Sequence, residues 1–270
     1  MTIVILGAEG SLGKELQRVF PKAKAFSHQQ VDITYWDDLT KLRSLQPTVI
    51  INAAAYTDVE GAQRNKDLAF LVNYQAIVFL HRLSEETGAR LIHFSTDYVF
   101  DGQNKEGYKE NSVRNPLNTY GKSKAAGEEF LEQKSQNYLL IRTSWLYGSK
   151  KSFPHKIIAK AKTESTVKVV ADQWGSPTSA ADLAKSIPAL LELPSGIYHL
   201  TNQGVCNWYE FACTIFEQLG MPNRVVPVSS IEFPTQARRP EYSVLLNTKT
   251  QPLRNWKLAL VDYLKAEKLR

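Results

Sequence analysis

The apolar run Thr2–Leu6 breaks into Gly7-Ala8-Glu9-Gly10-Ser11-Leu12-Gly13, and this spacing constrains the fold more than any other stretch of the chain. Each glycine has a physical task in a strand-to-helix turn. Gly7 permits the tight turn, Gly10 removes a Cβ where another group must approach the backbone, and Gly13 allows the helix to pack closely on the strand. A strand, a glycine loop and a helix in that order open a layered α/β unit.

The rest of the first two-thirds repeats that unit. Thr2–Leu6, Ala23–Phe26, Thr48–Ile51, Arg90–Phe94 and Tyr138–Ile141 read as strands. Leu12–Phe20, Asp37–Leu45, Asp67–Thr87 and Tyr120–Gln133 read as helices between them. Alternation of this kind predicts a parallel sheet with right-handed crossovers covering both faces. Continuous apolar runs such as Val49-Ile50-Ile51 agree, because such strands are buried on both sides. The layout is a doubly wound parallel sheet.

Near residue 145 the texture changes to proline-rich sequence with shorter, less regular elements, and a smaller C-terminal lobe is expected there. Ser179–Leu191 nevertheless reads as an amphipathic helix and Gly196–Leu200 as a strand that returns to the main sheet. The expected division is therefore 1–145 completed by about 179–200, with 146–178 and 201–270 forming the lobe and a cleft between the two.

Composition narrows the function classes. At 43% hydrophobic and 22% charged residues over 270 positions, the chain has an ordinary globular core and is not a disordered polymer. No apolar run reaches a membrane span or a signal-peptide core, so a cytoplasmic protein without a membrane partner is expected. The net charge of +6 suits an anionic ligand, but the basic residues are scattered, and no nucleic-acid partner is expected. Cys206 and Cys213 read as two reduced thiols.

The glycine loop at the first strand-to-helix turn points to a dinucleotide, whose pyrophosphate would meet free amides at the helix N-terminus. After the second strand, where an acidic residue would bind the ribose 2′-hydroxyl of NAD, this chain has Ser27-His28. NADPH is then as good a cofactor as NADH. Asp32-Ile33 follows and could flank the adenine; a capped turn explains Asp32 equally well. Asn52-Ala53-Ala54-Ala55 ends the third strand with small side chains, which leave room at the ligand edge of the sheet.

Ser95-Thr96-Asp97 closes the fourth strand, and Tyr120-Gly121-Lys122-Ser123-Lys124 opens a helix. Residues four apart share a helical face, so Tyr120 and Lys124 can meet one ligand. An adjacent ammonium would lower the tyrosine pKa towards neutrality, and a strand-end hydroxyl would hydrogen-bond a carbonyl as it becomes an alkoxide. Tyr120, Lys124 and Thr96 are the candidate catalytic residues.

These residues resemble the extended short-chain dehydrogenase/reductase superfamily, and within it most closely the dTDP-4-dehydrorhamnose reductase family. The resemblance extends over nearly the whole chain, through 52–57, 95–102, 116–124, 142–148, 172–178 and 238–240. It implies a Rossmann-type fold, with Gly10, Ser11 and Leu12 on the pyrophosphate, Asp32 and Ile33 on the adenosine, and Ala55, Tyr56 and Thr57 beside the nicotinamide. It also implies sugar contacts from Thr96 and Asp97, a proton from Tyr120, a ribose contact from Lys124 and a pocket wall from Trp145. Arg239, whose guanidinium fork suits phosphate oxygens, becomes a candidate for the nucleotide diphosphate.

The implied activity is reduction of a 4-keto sugar nucleotide, dTDP-4-dehydro-L-rhamnose to dTDP-L-rhamnose, for cell-surface polysaccharide. A homodimer is the oligomer considered. Glu15 falls where some relatives bind a divalent ion, but one carboxylate on a helix is ordinarily solvated, and no metal is expected. A dehydratase would follow the strand-end threonine with Asp-Glu, whereas here Asp97 is followed by Tyr98. An epimerase of the same superfamily and a non-catalytic regulatory subunit of a methionine adenosyltransferase remain as alternatives.

Overall fold

The computed structural model describes residues 1–222 and 224–269. Its chain begins with β1 (Ile3–Leu6), α1 (Ser11–Val19), β2 (Lys24–Phe26), α2 (Trp36–Thr40) and β3 (Val49–Asn52). There follow α3 (Val59–Arg64), α4 (Lys66–Phe70), α5 (Ala76–Thr87), β4 (Arg90–Thr96), α6 (Thr119–Lys134) and β5 (Tyr138–Thr143). A strand at Gly196–His199 pairs with β5 and completes a six-stranded sheet. Every pairing within it is parallel, as the alternating sequence requires.

Because successive side chains of a strand point to opposite faces, each strand feeds two cores. Val4, Leu6, Ile50, Leu91 and Leu140 pack with Ile77, Leu80 and Leu83 of α5 and Leu131 of α6. Ile3, Ile5, Ile51, Ile92 and Ile141 pack on the other face with Leu12 and Leu16 of α1 and with Leu183 and Ile187 of α8 (Ala180–Leu190). Each such buried side chain contributes about 1.5–3 kcal/mol of transfer free energy, which explains why the apolar runs are unbroken.

The spatial order runs β2, β1, β3, β4, β5 and then the Gly196–His199 strand, so the direction of winding reverses between β1 and β3. In open parallel sheets ligands bind at the carboxyl edge beside that reversal. The glycine loop after β1 and Asn52-Ala53-Ala54-Ala55 after β3 flank it.

Two sequence-expected helices are interrupted. Asp37–Leu45 is α2 followed by a 3-10 turn at Lys41–Leu45, which ends at Gln46 in the left-handed conformation. Asp67–Thr87 is α4 and α5 joined by a π-turn at Leu71–Gln75. The π-turn holds Asn73, fully buried, whose Oδ1 accepts from the Tyr56 amide at 3.0 Å and whose Nδ2 donates to the Tyr56 carbonyl at 3.1 Å and the Ser123 hydroxyl at 3.0 Å. An apolar period cannot reveal a helix that bulges to present one amide.

The later sequence builds α7 (Phe153–Ala161), α9 (Trp208–Leu219) and α10 (Trp256–Ala266) around short strands, several only two residues long. A parallel pair, Thr166–Val170 with Arg224–Val228, is the longest among them. Tyr147, Phe211, Trp256 and Tyr263 dominate the side chains buried there.

Candidate active site

The glycine loop is built as its spacing demands. Gly7 has φ of 79°, and a Cβ on it would lie 2.6 Å from the Ala54 amide nitrogen. A Cβ on Gly13 would overlap the Gly7 carbonyl oxygen. Gly10 differs, because a Cβ there would meet only the Gly7 carbonyl oxygen, at 3.3 Å. Packing therefore requires glycine at 7 and 13, while at Gly10 a Cβ would make one close contact and the position is far less crowded. Gly10 is also the N-cap of α1 and offers no side chain to its amides. An anion of the size and charge of a pyrophosphate fits these donors.

Other expected cofactor contacts are placed differently. Ile33 and Leu12 bury their side chains in the two cores, leaving only backbone to face a ligand. Asp32 Oδ1 accepts from both the Thr34 amide (2.9 Å) and the Thr34 hydroxyl (2.7 Å), forming a local turn. His28 is exposed, with Nδ1 3.7 Å from Asp32. Ala55 and Tyr56 are half-buried and Thr57 is exposed, on a segment held by the Asn73 amide described above.

At the carboxyl edge of β4 the Thr96 hydroxyl donates to Asp97 Oδ1 at 3.0 Å and accepts from the Tyr98 amide at 3.2 Å. The Tyr120 phenol lies within reach of the same hydroxyl. Asn118 caps α6 by accepting from the Gly121 amide at 2.8 Å, and a Cβ on Gly121 would overlap the Tyr98 carbonyl. That contact seats the first turn of α6 against the end of β4 and so places Tyr120 beside Thr96. The Tyr98 and Tyr120 rings meet edge to face at 5.8 Å.

The electrostatics correct one expectation. Burial pushes the Tyr120 phenol up to about 12 rather than towards neutrality, with the nearby Thr96 hydroxyl offsetting part of the shift. Lys124 is buried, and desolvation lowers its amine to about 7, opposed only in part by Glu128. Glu128 is itself committed to Arg142, at 2.6 Å in a fully buried pair. In the protein alone, Lys124 thus gives up its proton far more readily than an exposed lysine, and Tyr120 keeps its own. The physical reason is that spacing alone predicts a shared helical face but not how far desolvation disfavours a charge there.

Lys124 Nζ donates to the Phe94 carbonyl at 2.7 Å and lies 3.0 Å from His93 Nε2. Asp97, buried beneath Thr96, accepts from the Ser243 hydroxyl at 2.5 Å, and burial raises its carboxyl to about 6. Trp145, just beyond β5, adopts a left-handed φ of 48°, strained for a tryptophan. Its ring stacks on Trp208 at 3.5 Å, and Gly175 is glycine because a Cβ would come within 2.6 Å of it.

Arg239 reaches the same side of α6. Asn118 Nδ2 donates to the Arg238 carbonyl at 2.7 Å, and Arg239 Nη2 pairs with Glu60 of α3 at 3.3 Å. A cavity of about 280 Å³ is lined by Arg238, Arg239, Lys105 and Leu117 together with Asp101 and Glu241. Glu15 pairs with Arg18 at 2.5 Å, and among the described residues no cluster of three His, Cys, Asp or Glu side chains forms a metal-sized site.

A family model described as the RmlD substrate binding domain matches residues 1–269. The chain belongs to the dTDP-4-dehydrorhamnose reductase family. A dTDP-4-dehydrorhamnose reductase of Escherichia coli K12 is 35% identical, the match covering 97% of this chain and 94% of the relative. The Bacillus subtilis spore coat polysaccharide biosynthesis protein SpsK is 36% identical, covering 97% and 96%. The solved structure of a Bacillus anthracis dTDP-4-dehydrorhamnose reductase in complex with NADP superposes with a TM-score of 0.94 at 36% identity, covering 98% and 100%. The Rossmann-type fold expected from the sequence is therefore the fold of the family.

Asn73, His93 and Ser243 escaped sequence reasoning, and Asn52 was read only as a small residue at the strand end, although each bonds a candidate site residue or its backbone support. A polar residue inside an apolar strand or helix, as at His93 and Asn73, was the available signal. Ser243 carried none, because its partner Asp97 lies far away in the sequence.

Proposed function

We propose that this protein reduces the 4-keto group of dTDP-4-dehydro-L-rhamnose with NADPH or NADH, giving dTDP-L-rhamnose for cell-surface polysaccharide. The observation that carries the reading is the Tyr120 and Thr96 hydroxyl groups brought together where α6 packs on the end of β4, at the same carboxyl edge of the sheet as the glycine loop after β1. Family membership supports the substrate class. When bound, the reduced nicotinamide supplies the hydride for the sugar C4.

The chain's own residues do the rest. The α1 amides and the bare Gly10 backbone bind the pyrophosphate, and Lys124 holds the nicotinamide ribose. Thr96 donates to the substrate carbonyl as charge develops on its oxygen, and Tyr120, protonated throughout the neutral range, passes its Oη proton to that oxygen. Asp97 and Trp145 orient the sugar. Arg239 exchanges the Glu60 carboxylate for the diphosphate, since both offer oxygens to the same guanidinium fork. The setting is cytoplasmic and the oligomer a homodimer, with no nucleic-acid partner; among the described residues no helix is long and apolar enough to cross a membrane.

Purified protein is mixed with the 4-keto sugar nucleotide, and absorbance is followed with NADH and NADPH separately. Stoichiometric oxidation of either supports reduction, recycling without net consumption indicates epimerisation, and no oxidation with either removes the proposal. Tyr120→Phe is expected to lower kcat by about 10²–10⁴-fold while cofactor affinity stays near the wild-type value. Wild-type turnover in that variant would show that Tyr120 is not the acid. Co-purification with a methionine adenosyltransferase in the absence of turnover would favour the regulatory alternative.

A further inference from the structure

Behind Lys124 lies a buried chain of polar groups with a fixed direction. Asn52 is 1% exposed; its Oδ1 accepts from the Ala54 amide at 3.1 Å, and its Nδ2 lies 3.1 Å from His93 Nδ1. A backbone amide is always a donor, so the Asn52 oxygen must face Ala54 and its NH₂ must face His93. His93 Nδ1 therefore accepts. A neutral imidazole with an accepting Nδ1 carries its single proton on Nε2, and that N–H points at Lys124 Nζ, 3.0 Å away.

We infer that Asn52 and His93 are positioning residues: Asn52 donates to His93, His93 donates to the Lys124 amine, and the pair holds that amine, before cofactor binds, as an uncharged group with its lone pair towards His93. Of the two remaining N–H bonds on Nζ, one goes to the Phe94 carbonyl. The other has no protein partner among the described residues and is left for a ligand. An ammonium in the same place would need His93 Nε2 to accept, which moves the ring proton to Nδ1 and sets it against the Asn52 NH₂. Charging Lys124 thus requires the Asn52 amide to turn away from Ala54 or the His93 contact to break.

The charged groups around Nζ agree with this polarity. His93 on β4 is fully buried and its pKa is held well below the ordinary histidine range, so the ring stays neutral. Glu128 on α6 is the nearby carboxylate, and it is neutralised by Arg142 of β5. Tyr120 on the same helix keeps its proton. No neighbour among these supplies the negative charge that would hold an ammonium in place.

The inference rests on the proposed reaction only for its kinetic consequence, and the protonation pattern is tested without turnover. Unliganded protein labelled with ¹⁵N-histidine is examined by two-bond ¹H–¹⁵N correlation, with His93 assigned by the signal lost in His93→Gln. The expected result is a neutral ring protonated on Nε2 at mildly alkaline pH, above the Lys124 transition. A ring protonated on Nδ1 there, or an imidazolium at neutral pH, overturns the inference.

Kinetics provide the second arm. His93→Phe, which deletes the donor, is expected to lower kcat roughly tenfold with little change in KM for the sugar nucleotide, and to move the Lys124 transition in the pH profile upward. His93→Gln, whose amide can still donate, should recover part of the loss. An unchanged kcat and pH profile in His93→Phe would refute the positioning role. If the wild-type protein reduces no sugar nucleotide, the proposed function fails and the tautomer result still decides the inference.

Discussion

The six-stranded sheet and the C-terminal lobe solve the same packing problem with different materials. The sheet buries Ile, Val and Leu on two faces of long-range parallel pairings, and its cores would look alike on many unrelated chains. The lobe buries Tyr147, Phe211, Trp256 and Tyr263 among strands as short as two residues. Aliphatic side chains at period two fill a regular layer, whereas aromatic rings fill irregular space and impose their own orientations. The sheet consequently presents backbone and strand-end hydroxyls at a predictable edge. The lobe presents Arg239 and packs against Trp145 at its border, side chains whose positions depend on neighbours far away in sequence.

Glycine substitutions break the comparison most sharply on the sheet side. Gly13→Ala pushes a methyl group into the Gly7 carbonyl, backbone against backbone, and is expected to cost about 3 kcal/mol or more. Gly10→Ala brings its methyl group to 3.3 Å from the Gly7 carbonyl oxygen, a tight contact relieved by a small shift, and should cost no more than about 1 kcal/mol, while weakening dinucleotide binding at least tenfold. Denaturant unfolding and cofactor titration of both variants check the pair. Equal losses of stability would mean that Gly10 serves packing and not a ligand.

On the lobe side, Trp208→Ala removes the ring stacked on Trp145 at 3.5 Å and packed by Phe153 at 4.7 Å. Full burial would make this loss about 3–5 kcal/mol, and the half-buried position of Trp208 brings the expectation to about 2–3 kcal/mol. Because Trp145 is strained in φ, losing its stacking partner should also release it, and KM for the sugar nucleotide should rise more than kcat falls. A stability loss with unchanged KM would place Trp145 in the lobe's core alone.

The same contrast explains what could be read from the sequence. The five strands of the first two-thirds, the glycine loop and the Tyr120–Lys124 helix follow from local periodicity and spacing, which a single chain displays. The lobe strands Leu146–Tyr147 and Trp174–Gly175 are too short to carry a period. At the site, residue types and strand-end positions were legible, but protonation states were not. Lys124 shifts towards neutrality because of burial, and burial depends on what the rest of the fold packs over it. The Asn52–His93 support was equally hidden, since it joins β3 to β4 through side chains that periodicity assigns to core.

Asp97 lies where the two regions join, on the sheet edge but bonded to Ser243 of the later sequence, and it gives the smallest and most pH-specific test. Its carboxyl is raised from 3.8 to about 6 by burial, against opposing hydrogen bonds from Ser243 and Thr96. For a raised carboxyl the folded state binds the proton more tightly than the unfolded chain. Its contribution to stability is therefore fully present below the unfolded pKa and is lost as pH rises through the folded value. Asp97→Asn cannot ionise and keeps polar atoms facing both hydroxyls. It should be more stable than the wild type by on the order of 1–2 kcal/mol at neutral pH, with the difference vanishing towards pH ~4. Thermal unfolding of both proteins across that range measures it. A difference independent of pH would show that the Asp97–Ser243 bond joins sheet and lobe through geometry alone, without a buried charge at the seam.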